Sequence, residues 1–420
     1  MSPFTKPFTP LLLLAAARRF SQSTTIPKRL QRVRDHSFDS IMEVEKKTRK
    51  ALKLQALVLS HPNSSLPVSL LDSLSRRHLA FLPNETGSFL LRHPHIFHVY
   101  DHPVQRILWA RLTPRALSQI RLEQSAIADS LSDAVLRLRK LLLLASPSYR
   151  LRFEHVRIAR RDLGLPDDFE HSVVLANPSH FRLVANSPAD EDPRMKYIEL
   201  VMDPDESRIQ PVSAIELARE KEYRARGSDA EDARFSFLIN FPPGFKIGKY
   251  YRIAVWKWQR LPYWSPYEDV SGYDLRSLEA RKRMEKRAVA TIHEILSLTV
   301  EKRTTMERIA HFRQAMGLPK KLKEFLLQHQ GIFYVSTRGN QGKLHTVFLR
   351  EAYRKGEMVE PNDIYLARRK LGELLLMSPK KANLDRMLTS MGRGAGMRAD
   401  VGGDEEGSDN DSGVESQFLE

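Results

Sequence analysis

Apolar positions recur at helical spacing in the last third of the chain, and a β-rich stretch follows them. From Glu285 the apolar positions are Val289, Ile292, Ile295, Leu296 and Val300, which fall on one face of a helix. The capping-box sequence at 304–307 predicts the start of a second helix, which ends at Gly317. A third helix is expected from Pro319 to Gly331. The following IFYVSTRGNQGKLHTVFL has the pattern of two strands joined by a turn, so residues 285–350 predict three helices and a hairpin.

Two earlier regions, about 41–112 and 131–204, show the same order of elements. In the middle region one helix runs through Val135 and Leu142, a second ends at Gly164, a third begins at Pro166, and HFRLVAN and MKYIELV are the strands. In the first region the helices are expected over roughly 41–60, 66–79 and 83–93, with IFHVY and RILWARL as the strands. The pattern predicts an α+β, mainly helical chain with about three tandem winged-helix-like units.

One motif of the first region returns in the third. FLLRHPHIFHV at 89–99 and FLLQHQGIFYV at 325–335 follow a Leu-Pro pair at equal spacing, and Leu165-Pro166 precedes a weaker copy. We interpret the motif as the last helix of each unit turning into its first hairpin strand. His93 and His329 recur at the end of that helix. Neither has neighbouring metal-ligand residues at suitable spacing, so a histidine near the helix carbonyls is favoured.

An aromatic and basic segment, FPPGFKIGKYYRIAVWKWQRLPYWSPYED, occupies residues 241–269 between the second and third regions. It is expected to be a β segment with a strand from Tyr250 to Arg260. Alternation would place on one side the residues Tyr250, Arg252, Trp256, Trp258 and Arg260. Rings beside guanidinium groups suit the stacking of unpaired bases and the binding of phosphates. The alternative is a sheet face packed under a helix, with tryptophan in the core and arginine at the rim.

The net positive charge of the chain predicts a polyanionic partner. The 420 residues carry a net charge of +16, and residues 400–420 hold eight acidic residues but no Lys or Arg. All 67 basic residues and only 43 of the 51 acidic ones therefore precede this tail, which gives that part +24. A surplus of this size favours nucleic acid or an anionic membrane surface, although a basic protein that is merely soluble is the alternative. The chain has no cysteine, which excludes disulfides, thiolate metal sites and cysteine nucleophiles.

The two ends of the chain differ in composition from the body. Before Asp35 there are seven Lys or Arg, no acid and a short apolar run at 11–17. This composition predicts an organellar transit peptide over 1–20, with 34 as its outer limit. Arg18-Arg19-Phe20 before Ser21 resembles a mitochondrial processing site, which implies a cut between Phe20 and Ser21. We favour the mitochondrion over the chloroplast because arginine outweighs serine and threonine. A secretory signal is disfavoured because most of the basic residues follow the apolar run. Residues 392–420 are expected to be a disordered acidic tail, which either solubilises the protein or competes for its basic surface.

Several long segments resemble a known family. FPPGF, LPYWSPYED, DHSFDSIMEVEKK and the run from EKRAVATIHEILSL to EPNDI are similar to the plant organelle RNA recognition (PORR) domain proteins. The resemblance covers roughly residues 34–385. It implies import into mitochondria or chloroplasts and binding of group II intron RNA to promote splicing, with other splicing factors as partners. It supplies no agreed set of RNA-contacting side chains.

Candidate binding residues therefore rest on chemistry alone. Three lysines, Lys320, Lys321 and Lys323, are expected at the start of a helix, where amides favour an anion. Arg338 and Lys343 flank the turn of the last hairpin, and Arg157, Arg160 and Arg161 share one helix. Each of these clusters is alternatively a solvated face.

Catalytic motifs are missing from the sequence. It contains no GxxxxGK[ST], HExxH or GxSxG motif, so no catalytic residue, metal or cofactor is predicted. The prediction is a non-enzymatic RNA-binding protein without a membrane partner. A DNA-binding organellar factor is the first alternative, because winged helices often enter a duplex groove, and a hydrolase is the second.

Overall fold

The computed structural model describes residues 33–185, 195–202, 211–225, 237–246, 248–340 and 344–377. All of these belong to one unit, Met1–Met377. Among these residues, helices alternate with small antiparallel sheets, three of three strands and one of two, which confirms the predicted α+β, mainly helical class. The expected transit peptide with Phe20 and Ser21, and the acidic tail at 392–420, lie outside the described residues.

The first region contains the three helices and two strands that its pattern predicts, and one further strand. The elements are α1 (His36–Leu59), β1 (Ser65–Pro67), α2 (Val68–Leu79), α3 (Glu85–Arg92), β2 (Phe97–Asp101) and β3 (Leu108–Leu112), of which β1 was not expected. Asp35 caps α1, and its side chain accepts a hydrogen bond from the amide of Ser37. Helix α4 (Pro114–Asp129) then leads to the second region.

The second region repeats the order with one change. Its elements are α5 (Leu131–Leu143), β4 (Arg150–Arg152), α6 (Phe153–Leu163), a π-helical turn (Glu170–Leu175), β5 (Phe181–Ala185) and β6 (Lys196–Leu200). Gly164 ends α6 in the left-handed region at φ +67°. The third helix expected from Pro166 is this short π-helical turn, which begins four residues later.

Between the second and third regions, the described residues form two helices. They are α7 (Ala214–Ala225) and α8 (Lys249–Gln259). The strand predicted from Tyr250 to Arg260, and with it the intervening β segment, is wrong, because these residues form α8. Tyr251, Ala254 and Trp258 are its buried positions, and their spacing of three and four is helical. Aromatic and β-branched residues gave the segment a high strand propensity, which packing on one helical face overrides.

Of the three hairpins, the one in the third region has the longest strands. Its elements are α9 (Leu278–Leu298), β7 (Arg303–Thr305), α10 (Met306–Phe312), α11 (Leu322–Gln328), β8 (Phe333–Asn340) and β9 (Leu344–Leu349). The N-cap of α10 is Thr305, whose side chain accepts from the amide of Arg308. The predicted capping box at 304–307 requires the N-cap at residue 304. Because the N-cap is Thr305, Glu307 is the second helical residue and not the third. The short strands β10 (Tyr353–Arg354) and β11 (Glu357–Met358) and the helix α12 (Asp363–Leu376) complete the described chain.

The three three-stranded sheets share one topology, and we number them first, second and third in chain order. Each runs in the order first, third, second strand: β1-β3-β2, β4-β6-β5 and β7-β9-β8. The pairs Phe97 with Leu112, Phe181 with Leu200, and Phe333 with Leu349 are equivalent cross-strand partners. The structure thus shows three units with the same strand order. Their assignment to the winged-helix class, and their limits as domains, stay predictions.

The repeated motif holds the turn between the last helix and the first hairpin strand. In each unit one carbonyl oxygen accepts two amides of the following residues, and all six N···O distances lie between 2.9 and 3.0 Å. The acceptors are His93, Asn177 and His329, and the donor pairs are Ile96 with Phe97, His180 with Phe181, and Ile332 with Phe333. Both histidines are buried C-caps. Burial lowers the pKa of His93 to about 4, which opposes the expected stabilisation of a charged histidine by the helix dipole.

The cores extend across the units. One large core joins the second and third units with Trp258 of α8. The core of the first unit includes Leu371 and Leu375 of α12. The start of α1 packs on the third sheet, where Phe38 stacks on Tyr334 with ring centroids 4.9 Å apart. Elements distant in sequence therefore complete one another's cores.

Candidate nucleic-acid interface

Helix α8 is fixed to the protein by its buried side. Trp258 is 1% exposed, and its ring centroid lies 5.6 Å from that of Phe237 and 5.0 Å from that of His329. Lys286 of α9 is buried and donates hydrogen bonds to the carbonyls of Gln259 and Leu261, at 2.7 and 2.8 Å. Burial lowers the pKa of Lys286 to about 8. This ammonium group satisfies carbonyls at the C-terminal end of α8, which have no partner within a helix.

The opposite side of α8 is an exposed aromatic and basic surface. Tyr250 is 80% exposed and Trp256 is 53% exposed. The guanidinium carbon of Arg260 lies 3.6 Å from the centroid of the Trp256 ring, a stacked cation–π contact. We call this surface the α8 face. Its exposed members are Lys249, Tyr250, Arg252, Ile253, Trp256, Lys257 and Arg260.

The α8 face has the charge of an anion-binding surface. Residues 249–260 contain four basic residues and no acid. Four of the five residues that were expected on one side of a strand, namely Tyr250, Arg252, Trp256 and Arg260, are exposed on this helix. The fifth, Trp258, belongs to the core, so its predicted contact with RNA is wrong. The helix turns its side chain inward where an alternating strand would have turned it outward.

The three lysines at the start of α11 are exposed, but they do not form the expected helix-end site. Lys320 precedes α11, Lys321 is its N-cap, and Lys323 lies in its first turn. Helix α11 has seven residues, which is too short to supply the dipole invoked for an anion site. Lys321 lies 3.6 Å from Glu324, an exposed pair that contributes little. The three lysines therefore offer point charges for phosphate contact without a helix-end site.

The three arginines of the α6 cluster have carboxylate partners. Arg157 pairs with Glu154 at 2.7 Å, Arg160 with Asp167 at 2.9 Å, and Arg161 with Glu123 at 3.2 Å. The hydrogen bonds from Arg157 hold the pKa of Glu154 below its usual value. The α6 cluster thus presents neutralised pairs, which agrees with the solvated-face interpretation.

The two candidates at the last hairpin differ. Arg338 lies 3.5 Å from Asp39 and 3.3 Å from Glu43, two acids of α1. Its charge is therefore shared with the helix that covers this sheet. Lys343 lies outside the described residues.

Sequence reasoning missed a second aromatic and basic surface on the first sheet. Strand β2 places His98 and Tyr100 outward, and strand β3 places Trp109 and Arg111 beside them. The signal in the sequence was the alternation of FHVYD and LWARL. Their exposed positions hold rings and a guanidinium group, as those of α8 do.

Other kinds of site find no support in the described residues. Within the ranges given above, no group of three His, Asp or Glu side chains is arranged to hold a metal ion. Among the helices of those ranges, none combines the length and the apolar character needed to cross a bilayer. Asp269 accepts from the backbone amide of Ser271 at 3.0 Å, and the Tyr273 hydroxyl donates to Glu268 at 2.6 Å. The adjacent acids Glu268 and Asp269 therefore stabilise a turn.

Comparisons with known proteins cover nearly the whole chain. The model of the plant organelle RNA recognition domain matches residues 33–380. Protein ROOT PRIMORDIUM DEFECTIVE 1 of Arabidopsis thaliana is 64% identical over 378 residues, which is 90% of each chain. Protein WHAT'S THIS FACTOR 1, chloroplastic, of Zea mays is 33% identical over 92% of this chain and 75% of its own. Protein WHAT'S THIS FACTOR 9, mitochondrial, of Arabidopsis thaliana is 29% identical over 81% of this chain and 84% of its own.

No solved structure matches the chain. The family match spans all the described elements, from α1 to α12, and so includes both the α8 face and the sheet of the first unit. The resemblance inferred from the FPPGF and LPYWSPYED segments is confirmed, and the chain belongs to the plant organelle RNA recognition domain family.

Proposed function

We propose that this protein binds organellar intron RNA and promotes its splicing by holding the RNA in a competent shape. The α8 face is the observation that carries the proposal. Its exposed tyrosine and tryptophan can stack on unpaired bases, while the four basic side chains bind the phosphates between them. An arginine stacked on Trp256 presents a flat cationic surface at which one nucleotide can make both kinds of contact.

The proposed mechanism is binding without catalysis by the protein. Several phosphates are neutralised at once, so the affinity depends steeply on salt, with a log–log slope of about −0.7 per phosphate contact for a single strand. The exposed Lys320 and Lys323 are further candidates for phosphate contact. The RNA supplies the chemistry of splicing, and the protein restricts its conformations.

The family and the relatives support this proposal. The matching domain is described as an organelle RNA recognition domain, and relatives are named chloroplastic and mitochondrial. These names support an organelle as the location. Group II introns as the target and the mitochondrion as the compartment stay predictions from the sequence. Other splicing factors stay predicted partners.

Recovery of bound RNA from isolated organelles tests the proposal. A tagged protein is isolated from mitochondria and, separately, from chloroplasts, and its RNA is sequenced against total organellar RNA. We expect intron-containing transcripts to be enriched from one of the two. A variant with Tyr250→Ala, Arg252→Ala and Trp256→Ala should lose that enrichment.

The matched control changes an exposed surface elsewhere. Arg121→Ala with Leu122→Ala removes one charge and one exposed apolar side chain from α4, and it should enrich the same transcripts as the unaltered protein. Enrichment of organellar DNA instead of RNA would establish the DNA-binding alternative. Enrichment that survives the triple substitution would show that the α8 face is not the RNA-binding surface.

A further inference from the structure

The outward side of the first sheet is an acid-free surface of rings and basic groups. We call it the first-sheet face, and its six residues are Ser65, Pro67, His98, Tyr100, Trp109 and Arg111. His98 lies opposite Arg111, and Tyr100 lies opposite Trp109. All residues of this sheet are described, and none of the six is a carboxylate.

The side chains of this face form a connected layer. The rings of His98 and Tyr100 are stacked, with centroids 5.6 Å apart and planes at 15°. The Arg111 guanidinium lies 5.0 Å from the Tyr100 centroid and donates from Nε to His98 Nδ1 at 3.1 Å. The Trp109 indole donates to Gln105 Oε1 at 3.2 Å. These contacts fix the rings before any ligand binds, so little side-chain freedom is lost on stacking.

The third sheet shows what covers such a face when a protein segment is its partner. Tyr334 and Phe348 stand where the first sheet has His98 and Arg111. Both are buried, and Phe38 of α1 packs on each, with ring centroids 4.9 and 5.1 Å away. The other two positions hold Ser336 and Thr346, which are also buried, and the Ser336 hydroxyl donates to Asp39 of α1 at 3.1 Å. The face that a helix covers thus has no basic side chain at these four positions.

The second sheet carries both an acid and arginines on the same side. Arg182 and Glu199 are the equivalent pair and form a salt bridge at 2.9 Å. The first-sheet face differs from both of the others, because it keeps its rings half-buried or exposed and carries positive charge without an acid.

We propose that the first-sheet face stacks unpaired bases of single-stranded RNA. This inference rests on the proposed function and adds a second contact surface to it. Tyr100 and His98 offer ring planes for successive bases, and Arg111 lies beside them to bind a phosphate or to stack in turn. Stacking on rings tolerates any base because every base has a π-face. The face therefore holds single-stranded segments without reading their sequence.

Charge decides between RNA and a protein helix as the occupant. An apolar helix docked on this face would bury the Arg111 guanidinium without a counter-charge, which is costly. A single RNA strand brings phosphates to Arg111 and aromatic bases to the rings. The net charge of +24 before residue 400 favours the same partner.

The test compares a normal and a baseless RNA strand. Binding of the full-length protein to a short oligouridine RNA is measured beside binding to an abasic strand of the same length, which keeps the phosphates but cannot stack. We expect Tyr100→Ala to lower oligouridine affinity about fivefold or more and to leave the abasic affinity unchanged. Tyr100→Phe keeps the ring, so it should bind both strands as the unaltered protein does.

A charge control separates stacking from general electrostatics. Arg77→Ala removes an exposed charge of the same unit on α2, outside the six residues of the face, and it should change both affinities equally and little. Equal losses of both affinities in Tyr100→Ala, or unchanged oligouridine affinity, would overturn the first-sheet proposal while RNA binding itself stands. If the unaltered protein binds neither oligouridine nor intron RNA, the proposed function fails, and this inference fails with it.

Discussion

Two tryptophans two residues apart on α8 give the sharpest test of the site. Trp256 is 53% exposed, whereas Trp258 is 1% exposed and packs between Phe237 and His329. Truncation of a buried Trp to Ala costs about 3–5 kcal/mol of unfolding free energy, a large share of the 5–15 kcal/mol of an ordinary domain. An exposed substitution changes it by about 0.5 kcal/mol or less. The two variants should therefore fail in different assays.

The expected loss for Trp256→Ala is in binding. A base stacked on an aromatic ring contributes about 1–3 kcal/mol, so RNA affinity should fall about 5- to 150-fold while the urea midpoint stays unchanged. Trp258→Ala should lower the urea midpoint, followed by circular dichroism, and Trp258→Phe should recover part of it. RNA affinity is measured by fluorescence anisotropy at one fixed salt concentration. Full RNA affinity in Trp256→Ala, with the helix intact, would refute the assignment of the α8 face.

Three further predictions concern charge, pH and backbone. Lys320→Glu with Lys321→Glu should weaken RNA binding without unfolding and flatten the log–log salt slope by about 0.7 per lost contact; an unchanged slope would remove this segment from the site. Burial lowers the pKa of His93 to about 4 in the folded protein, whereas in the unfolded chain His93 binds a proton below about pH 6.5. The free energy of unfolding should therefore drop by up to about 3 kcal/mol between pH 6.5 and 4. His93→Asn should lessen that drop in urea titrations, and an identical drop in the variant would assign it to other groups. Gly164→Ala should destabilise by at least about 1–2 kcal/mol because of its positive φ, and by more than Gly244→Ala in the same urea assay. A methyl group at Gly164 would come within 2.6 Å of Val300 Cγ2, whereas Gly244, also at positive φ, has open space around it. Equal losses of unfolding free energy in the two variants would contradict the steric reasoning.

Local periodicity predicted most of the elements. The helical spacing from Val289 to Leu296 and the glycine end at Gly164 correspond to real elements, whereas Val300 lies beyond the end of α9. These features succeed because neighbours three and four residues apart decide them. The same local rule predicts α8 from the spacing of Tyr251, Ala254 and Trp258. The aromatic and β-branched residues of the segment favour a strand, and this propensity led to the wrong prediction.

The charged candidates could not be judged from local pattern. Arg161 meets an acid 38 residues away in the chain, Glu123, and Arg338 meets Asp39, which lies 299 positions earlier. Neutralisation by such partners depends on the packed fold and leaves no periodic trace. The first-sheet face was missed for a related reason, because the same alternation describes a covered sheet and an open one.

The core shared by α12 and the first unit sets the order in which the protein can fold. Leu371 and Leu375 fill a core whose other members lie between residues 51 and 116, and Asp35 pairs with Arg350 at 3.0 Å. During synthesis, some 250 residues must follow the first unit before these partners exist, which takes on the order of tens of seconds. For that time the first unit exposes apolar surface that only later residues cover. A chain that ends before residue 363 should therefore aggregate rather than behave as a shorter RNA-binding protein.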